Sequence, residues 1–162
     1  MREPISSFGY EKLLAELKHL KDFERPNIVK EIDIARGHGD LKENAEYHAA
    51  KEKQLFIEAR INDLSKILQN CQIIDPKELS HDKVSFGSSV KIQNLDNDKI
   101  FIYCIVGSVE SDPNKGYISA LSPIAKALMG KKEGDVIDIT LPNGENSFEI
   151  LEIFYKDLDF EN

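Results

Sequence analysis

Residues 37–52 read GHGDLKENAEYHAAKE and interrupt an otherwise helix-like N-terminal half of the chain. Before the two glycines, apolar residues recur at helical spacing, at Leu13, Leu17, Leu20, Ile28, Ile32 and Ala35. After them, a stripe with alternating steps of three and four residues runs from Tyr47 to Cys71, as in a helix–helix seam. Two long helices on either side of a short glycine-containing turn predict an antiparallel helical hairpin. Its second helix is expected from about Leu41 to Asn70.

The first arm of this hairpin carries two local signals. Ser6 or Ser7 is suited to cap its start, just before Phe8. Pro26 has no N–H and its ring crowds the preceding turn, so it predicts a bend near Arg25 or two helices in near-continuation. At about 1.5 Å per residue, each arm would be on the order of 40 Å long, and we expect the hairpin to project.

The second half of the chain changes to strand-like sequence. Residues 84–95 and 99–110 are rich in β-branched and aromatic residues and flank the turn-like Asp96-Asn97-Asp98. A short helix is expected after Ser122, with Gly130 at its C-cap. We therefore predict an α+β protein, with a long antiparallel coiled-coil hairpin over residues 1–76. A small antiparallel sheet domain with one short helix should follow over residues 77–162.

Composition narrows the function classes. The net charge of −8 makes free duplex DNA a poor partner, since such binding usually needs a basic surface. There is no run of about 18 apolar residues, so we expect no membrane span. The N-terminus shows no apolar export segment. Cys71 and Cys104 lie far apart and fit two reduced, buried thiols in a cytoplasmic protein, which we expect to be monomeric.

Two carboxylates follow the glycines, at Asp40 and Glu43. At a helix start, this spacing is typical of a capping box, and both charges suit the positive end of the helix dipole. The alternative is a functional acidic pair at the end of a projecting hairpin. Carboxylate oxygens suit Mg²⁺, and two of them could complete a metal site that another macromolecule already half-holds. Glu46, one turn on, is either a solvated residue or one that tunes this acidic pair.

Basic residues flank the same stretch. Arg36 and Lys51 are either solvated charges or a small cationic patch that meets RNA. His38 and His48 raise the question of zinc, but no cysteine accompanies them and their spacing is not that of a zinc-binding pair.

The stretch 37–52 strongly resembles the hairpin-tip signature of the bacterial Gre transcript cleavage factors, and among them the GreA type. The resemblance extends along nearly the whole chain, through ERPNIV, RINDL, QIIDP, FGSSVKI and SPIAKALMGKKEGD. The last of these, at residues 122–135, is an independent match in the other half.

This resemblance implies an N-terminal coiled coil, a C-terminal domain of FKBP-like fold and binding to the bacterial RNA polymerase core. The C-terminal domain would dock at the rim of the secondary channel, and the coiled coil would enter that channel. Asp40 and Glu43 would be the catalytic pair, holding a second Mg²⁺ jointly with the polymerase but not tightly in the free protein. The polymerase itself would then hydrolyse backtracked nascent RNA near its 3′ end, so the chain would not be an enzyme.

Further residues take roles by the same resemblance. Contacts with RNA or polymerase would come from Arg36, Glu46 and Lys51. Docking residues would be Ser122, Pro123, Ile124 and Ala125.

Two other functions stay open at the level of sequence. One is a secondary-channel regulator that inhibits the polymerase without promoting cleavage, which the intact Asp40 and Glu43 pair disfavours. The other is an autonomous prolyl isomerase, which would need an apolar aromatic pocket. The aromatic residues at strand spacing fit a packed core better, namely Phe86, Phe101, Tyr103, Tyr117, Phe148 and Phe154.

Overall fold

The computed structural model describes residues 2–40 and 44–159. The chain forms two compact units, one of residues 11–70 and one that joins residues up to 10 with those from 71 onward. This division differs from a boundary after residue 76 because two short strands, β1 (Glu3–Ser6) and β2 (Cys71–Ile74), pair in parallel with each other. The hydrogen bonds between them bring the first residues of the chain into the sheet-containing unit.

The N-terminal helical hairpin is confirmed. Its first arm contains α1 (Ser7–His19), a π-helical turn (Leu20–Glu24) and α2 (Arg25–Arg36), and its second arm is α3 (Ala45–Asn70). The arms share a buried apolar seam of Ile28, Ile32, Ala50, Ile57 and Ile61, against which Leu17, Leu20 and Tyr47 pack. The spacing of apolar residues in the sequence therefore marks the surfaces that meet.

Ser6 caps the start of α1, as one of the two serines was expected to do. Its Oγ accepts a hydrogen bond from the Gly9 N–H at 3.0 Å. Such a bond satisfies one of the donors that the first turn of a helix leaves without an intrahelical partner.

Pro26 is accommodated without a break between α1 and α2, so the prediction of helices in near-continuation is confirmed. The Arg25 N–H donates to the carbonyl of Leu20, five residues back, which closes a π-helical turn just before the proline. Pro26 is then the second residue of α2, a position where no backbone donor is required. The helix thus continues past a residue that would disrupt its interior.

Two arginine–glutamate pairs cross between the arms. Arg25 binds Glu58 through Nε and Nη2 at 2.8 and 3.0 Å, and Arg60 binds Glu16 at 2.8 and 2.9 Å. The hydrogen bond from Arg25 lowers the pKa of Glu58. This effect is larger than that of burial, which alone would raise the pKa. These side chains are largely solvated, so the pairs orient the arms more than they stabilise them.

The second unit contains a five-stranded sheet in the order β5-β4-β3-β7-β6. Its strands are β3 (Ser89–Asn94), β4 (Ile100–Val106), β5 (Tyr117–Ser119), β6 (Val136–Leu141) and β7 (Gly144–Phe154). Neighbours pair antiparallel except β4 and β5, which are parallel. The small sheet and the short α-helix α4 (Pro123–Leu128) confirm the α+β prediction, with a parallel edge strand that the sequence did not indicate. Short 3-10 helices also form at Pro76–Glu78, Ser108–Glu110 and Pro113–Lys115.

The core of the sheet lies beneath α4. The helix contributes Ala125 and Leu128, which are fully buried against strand residues such as Ile92, Ile105 and Ile150. Ser122 caps α4 by accepting the Ala125 N–H, and Gly130 follows the helix with a φ of +81°, a left-handed conformation that favours glycine. None of the helices in the described parts of the chain combines the length and the apolar character that crossing a membrane requires.

A buried carboxylate, Glu110, anchors the start of the chain to the sheet unit. It is 8% exposed and accepts hydrogen bonds from the Ser6 N–H at 3.1 Å, from the Ser6 hydroxyl and from the Gly107 N–H at 2.7 Å. Gly9 leaves room for it, since a Cβ there would lie 1.9 Å from Glu110 Oε1. A side chain at position 9 would therefore force the Glu110 carboxylate out of its present position.

We predict that Gly9→Ala destabilises the protein by about 2 kcal/mol, because the added methyl group must displace a packed and hydrogen-bonded carboxylate. Urea unfolding followed by circular dichroism measures the effect. Gly37→Ala is the matched control, since Gly37 has a helical φ of −70° and its Cβ would lie 3.3 Å from the Ile34 carbonyl, the one contact among the described residues. Equal stability of the two variants would contradict the role assigned to Glu110.

Candidate functional site at the hairpin tip

The hairpin tip, residues 37–46, begins where α2 ends. Gly37 caps α2, with its N–H donating to the carbonyl of Ile34 at 3.1 Å. Gly39 has a φ of +121°, a backbone conformation that side chains rarely adopt. The chain can turn here because this position carries no Cβ.

Asp40 is exposed at this tip. It lines an open depression of about 400 Å³ together with His38, Asn44, Ala45 and Glu46. An acidic side chain is thus accessible at the end of the hairpin rather than in its seam. Glu43, the other member of the expected acidic pair, lies outside the described residues.

The expected capping box pairs Asp40 with Glu43, which lies outside the described residues, so it stays a prediction. Helix α3 begins at Ala45, four residues later than expected. The carbonyl of Asn44, the residue before it, accepts the His48 N–H at 3.1 Å, and its side-chain Oδ1 accepts the Tyr47 N–H at 3.1 Å. Asn44 is therefore the N-cap of α3 and satisfies donors of its first turn.

Asn44 makes a further contact that sequence reasoning missed. Its Nδ2 donates to the carbonyl of Ala35, in the last turn of the opposite arm, at 2.6 Å. The signal in the sequence was an asparagine, a favoured N-cap residue, directly before the helical run from Ala45. Nothing in the local sequence, however, shows that the same amide reaches the other helix.

Glu46 lies in the first turn of α3 and faces the depression that Asp40 lines. Its Oε2 is 3.7 Å from Nε2 of His38, and both side chains are exposed. A carboxylate in this turn is favourable for the helix dipole. Among the described residues, no group of three or more His, Cys, Asp or Glu is placed to hold a metal ion.

The two basic residues of the expected patch have different surroundings. The guanidinium of Arg36 lies 6.0 Å from the ring centroid of Tyr47 on the other arm, within range of a cation–π interaction. Lys51 lies further along α3, where its Nζ is 3.3 Å from Oε1 of Gln54. Arg36 is therefore directed by a neighbouring ring at the tip, while Lys51 belongs to the exposed side of α3.

The expected docking residues surround the start of α4 in the sheet unit. Pro123 is exposed, whereas Ser122 and Ile124 are half-buried. Ala125 is fully buried in the core, so a partner on this surface would not touch its side chain. The surface at this end of α4 is presented by Pro123 and its neighbours instead.

The aromatic residues of the sheet unit act mainly as core. Phe86, Tyr117 and Phe148 are buried, and Phe101 stacks on Tyr103 with ring centroids 5.8 Å apart. The interpretation as core is confirmed for the three buried rings.

The two thiols differ in their surroundings. Neither forms a disulfide. Cys104 is buried, and burial raises its pKa to about 11, whereas Cys71 is half-buried rather than buried as expected. Since the thiolate is the reactive form, Cys104 should be the less reactive of the two.

Comparison with known proteins identifies a family for this hairpin-and-sheet protein. A family model for the N-terminal domain of the transcription elongation factors GreA and GreB matches residues 3–73, and the model for their C-terminal domain matches residues 79–155. The chain is 72% identical over 159 residues to transcription elongation factor GreA of Helicobacter hepaticus, covering 98% of each protein. It is 71% identical over 160 residues to the protein of the same name from Helicobacter pylori strain Shi470, covering 99% of this chain and 98% of the relative.

Solved structures give weaker matches. GreA factor homolog 1 of Thermus thermophilus is 25% identical, with a TM-score of 0.44, over 95% of this chain and 99% of the other. GreA/GreB from Nitrosomonas europaea is 23% identical, with a TM-score of 0.43, over 95% of this chain and 100% of the other. On the strength of the family models and the sequence relatives, the chain belongs to the GreA/GreB family of transcription elongation factors.

We predict that iodoacetamide at pH 8 modifies Cys71 well before Cys104 in the folded protein. The raised pKa of Cys104 leaves little thiolate at this pH, and its thiolate fraction should rise about tenfold per pH unit towards pH 11. Mass spectrometry of Cys71→Ser and Cys104→Ser measures the two rates separately. Similar rates in the two variants would show that Cys104 is not protected, and modification in urea provides the control for intrinsic reactivity.

Proposed function

We propose that this chain is a transcript cleavage factor. It enters the secondary channel of RNA polymerase with its hairpin and stimulates the polymerase's own hydrolysis of backtracked nascent RNA, so that arrested complexes resume synthesis. The observation that carries this function is the exposure of Asp40 at the turn between the two arms. Membership of a family of transcription elongation factors supports the polymerase as partner.

The tip is suited to bind a metal ion jointly with the polymerase rather than alone. Asp40 and Glu46 bring carboxylate oxygens to the same depression, and such oxygens are the ligands that Mg²⁺ prefers. Mg²⁺ commonly takes only one or two carboxylates from a protein, which is what a tip of this kind can offer. Asp40 and Glu43 would hold the ion together with the polymerase, and Glu46 would add negative charge nearby.

A second Mg²⁺ in such a site stabilises the attacking and leaving oxygens of an in-line displacement. The rest of the hairpin would serve to carry the tip carboxylates to the polymerase active centre. The 26 residues of α3 extend about 39 Å, and the apolar seam holds the two arms together along that length. Arg36, whose guanidinium lies 6.0 Å from the Tyr47 ring, would meet an RNA phosphate or base.

The remaining properties follow from this role. The chain supplies part of a metal site and no complete one, so it acts as a cofactor protein of the polymerase rather than as an enzyme. It works as a monomer in the cytoplasm and contacts the 3′ end of the nascent RNA. Docking through the surface around Pro123 would hold it at the channel rim.

We predict that Asp40→Asn lowers the rate of RNA cleavage in a backtracked elongation complex by on the order of 10- to 100-fold. The amide removes one negatively charged ligand but keeps the size of the side chain, so binding to polymerase should be unchanged. Gel analysis of end-labelled RNA measures cleavage, and competition with labelled wild-type protein measures binding. Glu43→Gln should behave in the same way.

Glu52→Gln is the matched control, since Glu52 is an equally exposed carboxylate further along α3. It should cleave like the wild type. Full cleavage by an Asp40→Asn, Glu43→Gln double variant would contradict the proposed mechanism. Slower RNA synthesis without cleavage by the wild-type protein would instead indicate a channel-binding inhibitor.

A further inference from the structure

We propose that Asn44 is a positioning residue for the tip carboxylates, and that its side-chain amide holds both ends of the turn between α2 and α3. This inference rests on the proposed function and adds a residue to it. Asn44 would touch neither RNA nor metal ion. It would act by holding the two ends of the turn that carries Asp40.

The two hydrogen bonds of the Asn44 side chain define this role. Nδ2 donates to the Ala35 carbonyl at 2.6 Å, and Oδ1 accepts the Tyr47 N–H at 3.1 Å. The partners fix the orientation of the amide, because only the NH₂ group can face a carbonyl and only the oxygen can face an N–H. The side chain therefore joins the last turn of one helix to the first turn of the next.

The backbone on the far side of this bond is well held. Ala35 is 3% exposed within the seam, and its carbonyl also accepts the His38 N–H at 3.1 Å. Asn44 itself begins α3 through its own carbonyl bond to the His48 N–H. The turn that carries Asp40 is thus clamped at both of its ends, and Glu43 directly precedes the clamp in the sequence.

Capping alone would not require asparagine. Serine, threonine or aspartate can accept the Tyr47 N–H about as well. Aspartate has no donor for the Ala35 carbonyl, and the serine hydroxyl, attached directly to Cβ, does not reach as far as the amide nitrogen of asparagine. Asparagine alone among the favoured N-cap side chains combines the acceptor for its own helix with a donor that reaches the other arm.

Orientation matters for a ligand pair at such a site. Groups that hold metal ligands in place through hydrogen bonds commonly change metal affinity or activity 10- to 100-fold when they are removed. A clamp of this kind would preorganise the turn from which Asp40 extends. Its loss should therefore appear as a weaker response to Mg²⁺, not as weaker binding to polymerase.

The test compares Asn44→Ser, which keeps the cap but loses the bond to Ala35, with Asn44→Ala, which loses both. RNA cleavage by backtracked complexes is measured across a Mg²⁺ titration at saturating factor. We expect both variants to need on the order of 10-fold more Mg²⁺ for half-maximal cleavage, with unchanged affinity for polymerase. Thermal unfolding should separate them, since only Asn44→Ala loses the cap.

Glu58→Gln is the matched control, because it weakens another bond between the arms, that to Arg25, far from the tip. It should leave the Mg²⁺ dependence as in the wild type. Hydrogen exchange gives a readout independent of cleavage. The Tyr47 amide should stay protected in Asn44→Ser and exchange faster in Asn44→Ala, and the side-chain amide of Asn44 should be protected in the wild type.

The positioning role is overturned if Asn44→Ser shows wild-type Mg²⁺ dependence, or if the cleavage defect of each variant merely follows its loss of stability. It is also overturned if the side-chain amide of Asn44 exchanges as fast as an exposed amide. Wild type and Asp40→Asn are included to separate failure of the positioning role from failure of the proposed function. If the proposed function fails, neither of these two proteins promotes cleavage, whatever the exchange data show.

Discussion

Apolar packing between the two arms of the hairpin is the constraint on which the functional site depends. Most of the stability of a helix in a protein comes from packing of its apolar face, so each arm depends on the other to remain helical. Full burial of one isoleucine is worth about 1.5–3 kcal/mol, and four isoleucines lie in the seam. Towards the tip, the buried residues of the two arms are the smaller Ala35 and Ala50. The arms can therefore approach closely enough for one asparagine side chain to join them.

The periodicity of the sequence predicted the architecture well because burial imposes it directly. A helical stripe with steps of three and four residues specifies which surfaces meet, and the seam contains those residues. The alternation and turn signals of the second half likewise predicted the sheet and the short helix. The partners that lie far apart along the chain were not predictable. The pairing of Glu3–Ser6 with Cys71–Ile74 and the burial of Glu110 beneath Ser6 depend on contacts between distant segments.

At the tip, local rules predicted a turn with an exposed carboxylate but not the residue that caps α3. The pattern of Asp40 followed by Glu43 resembles a capping box, and Asp is a favoured cap. Asn44 is equally favoured, and it has the cap in the folded chain. A carboxylate offers only acceptors, whereas an amide also donates, and the Ala35 carbonyl needs a donor. The preference for asparagine at this position therefore depends on the Ala35 carbonyl of the other arm. Rules that consider one helix at a time do not include this contact. Asp40 lies outside α3 and is exposed at the end of the hairpin.

The π-helical turn before Pro26 has a geometric consequence for the first arm. Continued from Leu13, Leu17 and Leu20 in steps of four and three, the apolar stripe would pass Glu24 and then fall on Asn27, Glu31 and Ile34. The buried residues of α2 are instead Ile28, Ile32 and Ala35, each one place later. A π bulge houses a single extra residue within a helix. Widening one turn thus absorbs that residue, so the helix keeps one apolar face where a uniform α-helix would rotate it by about 100° away from α3.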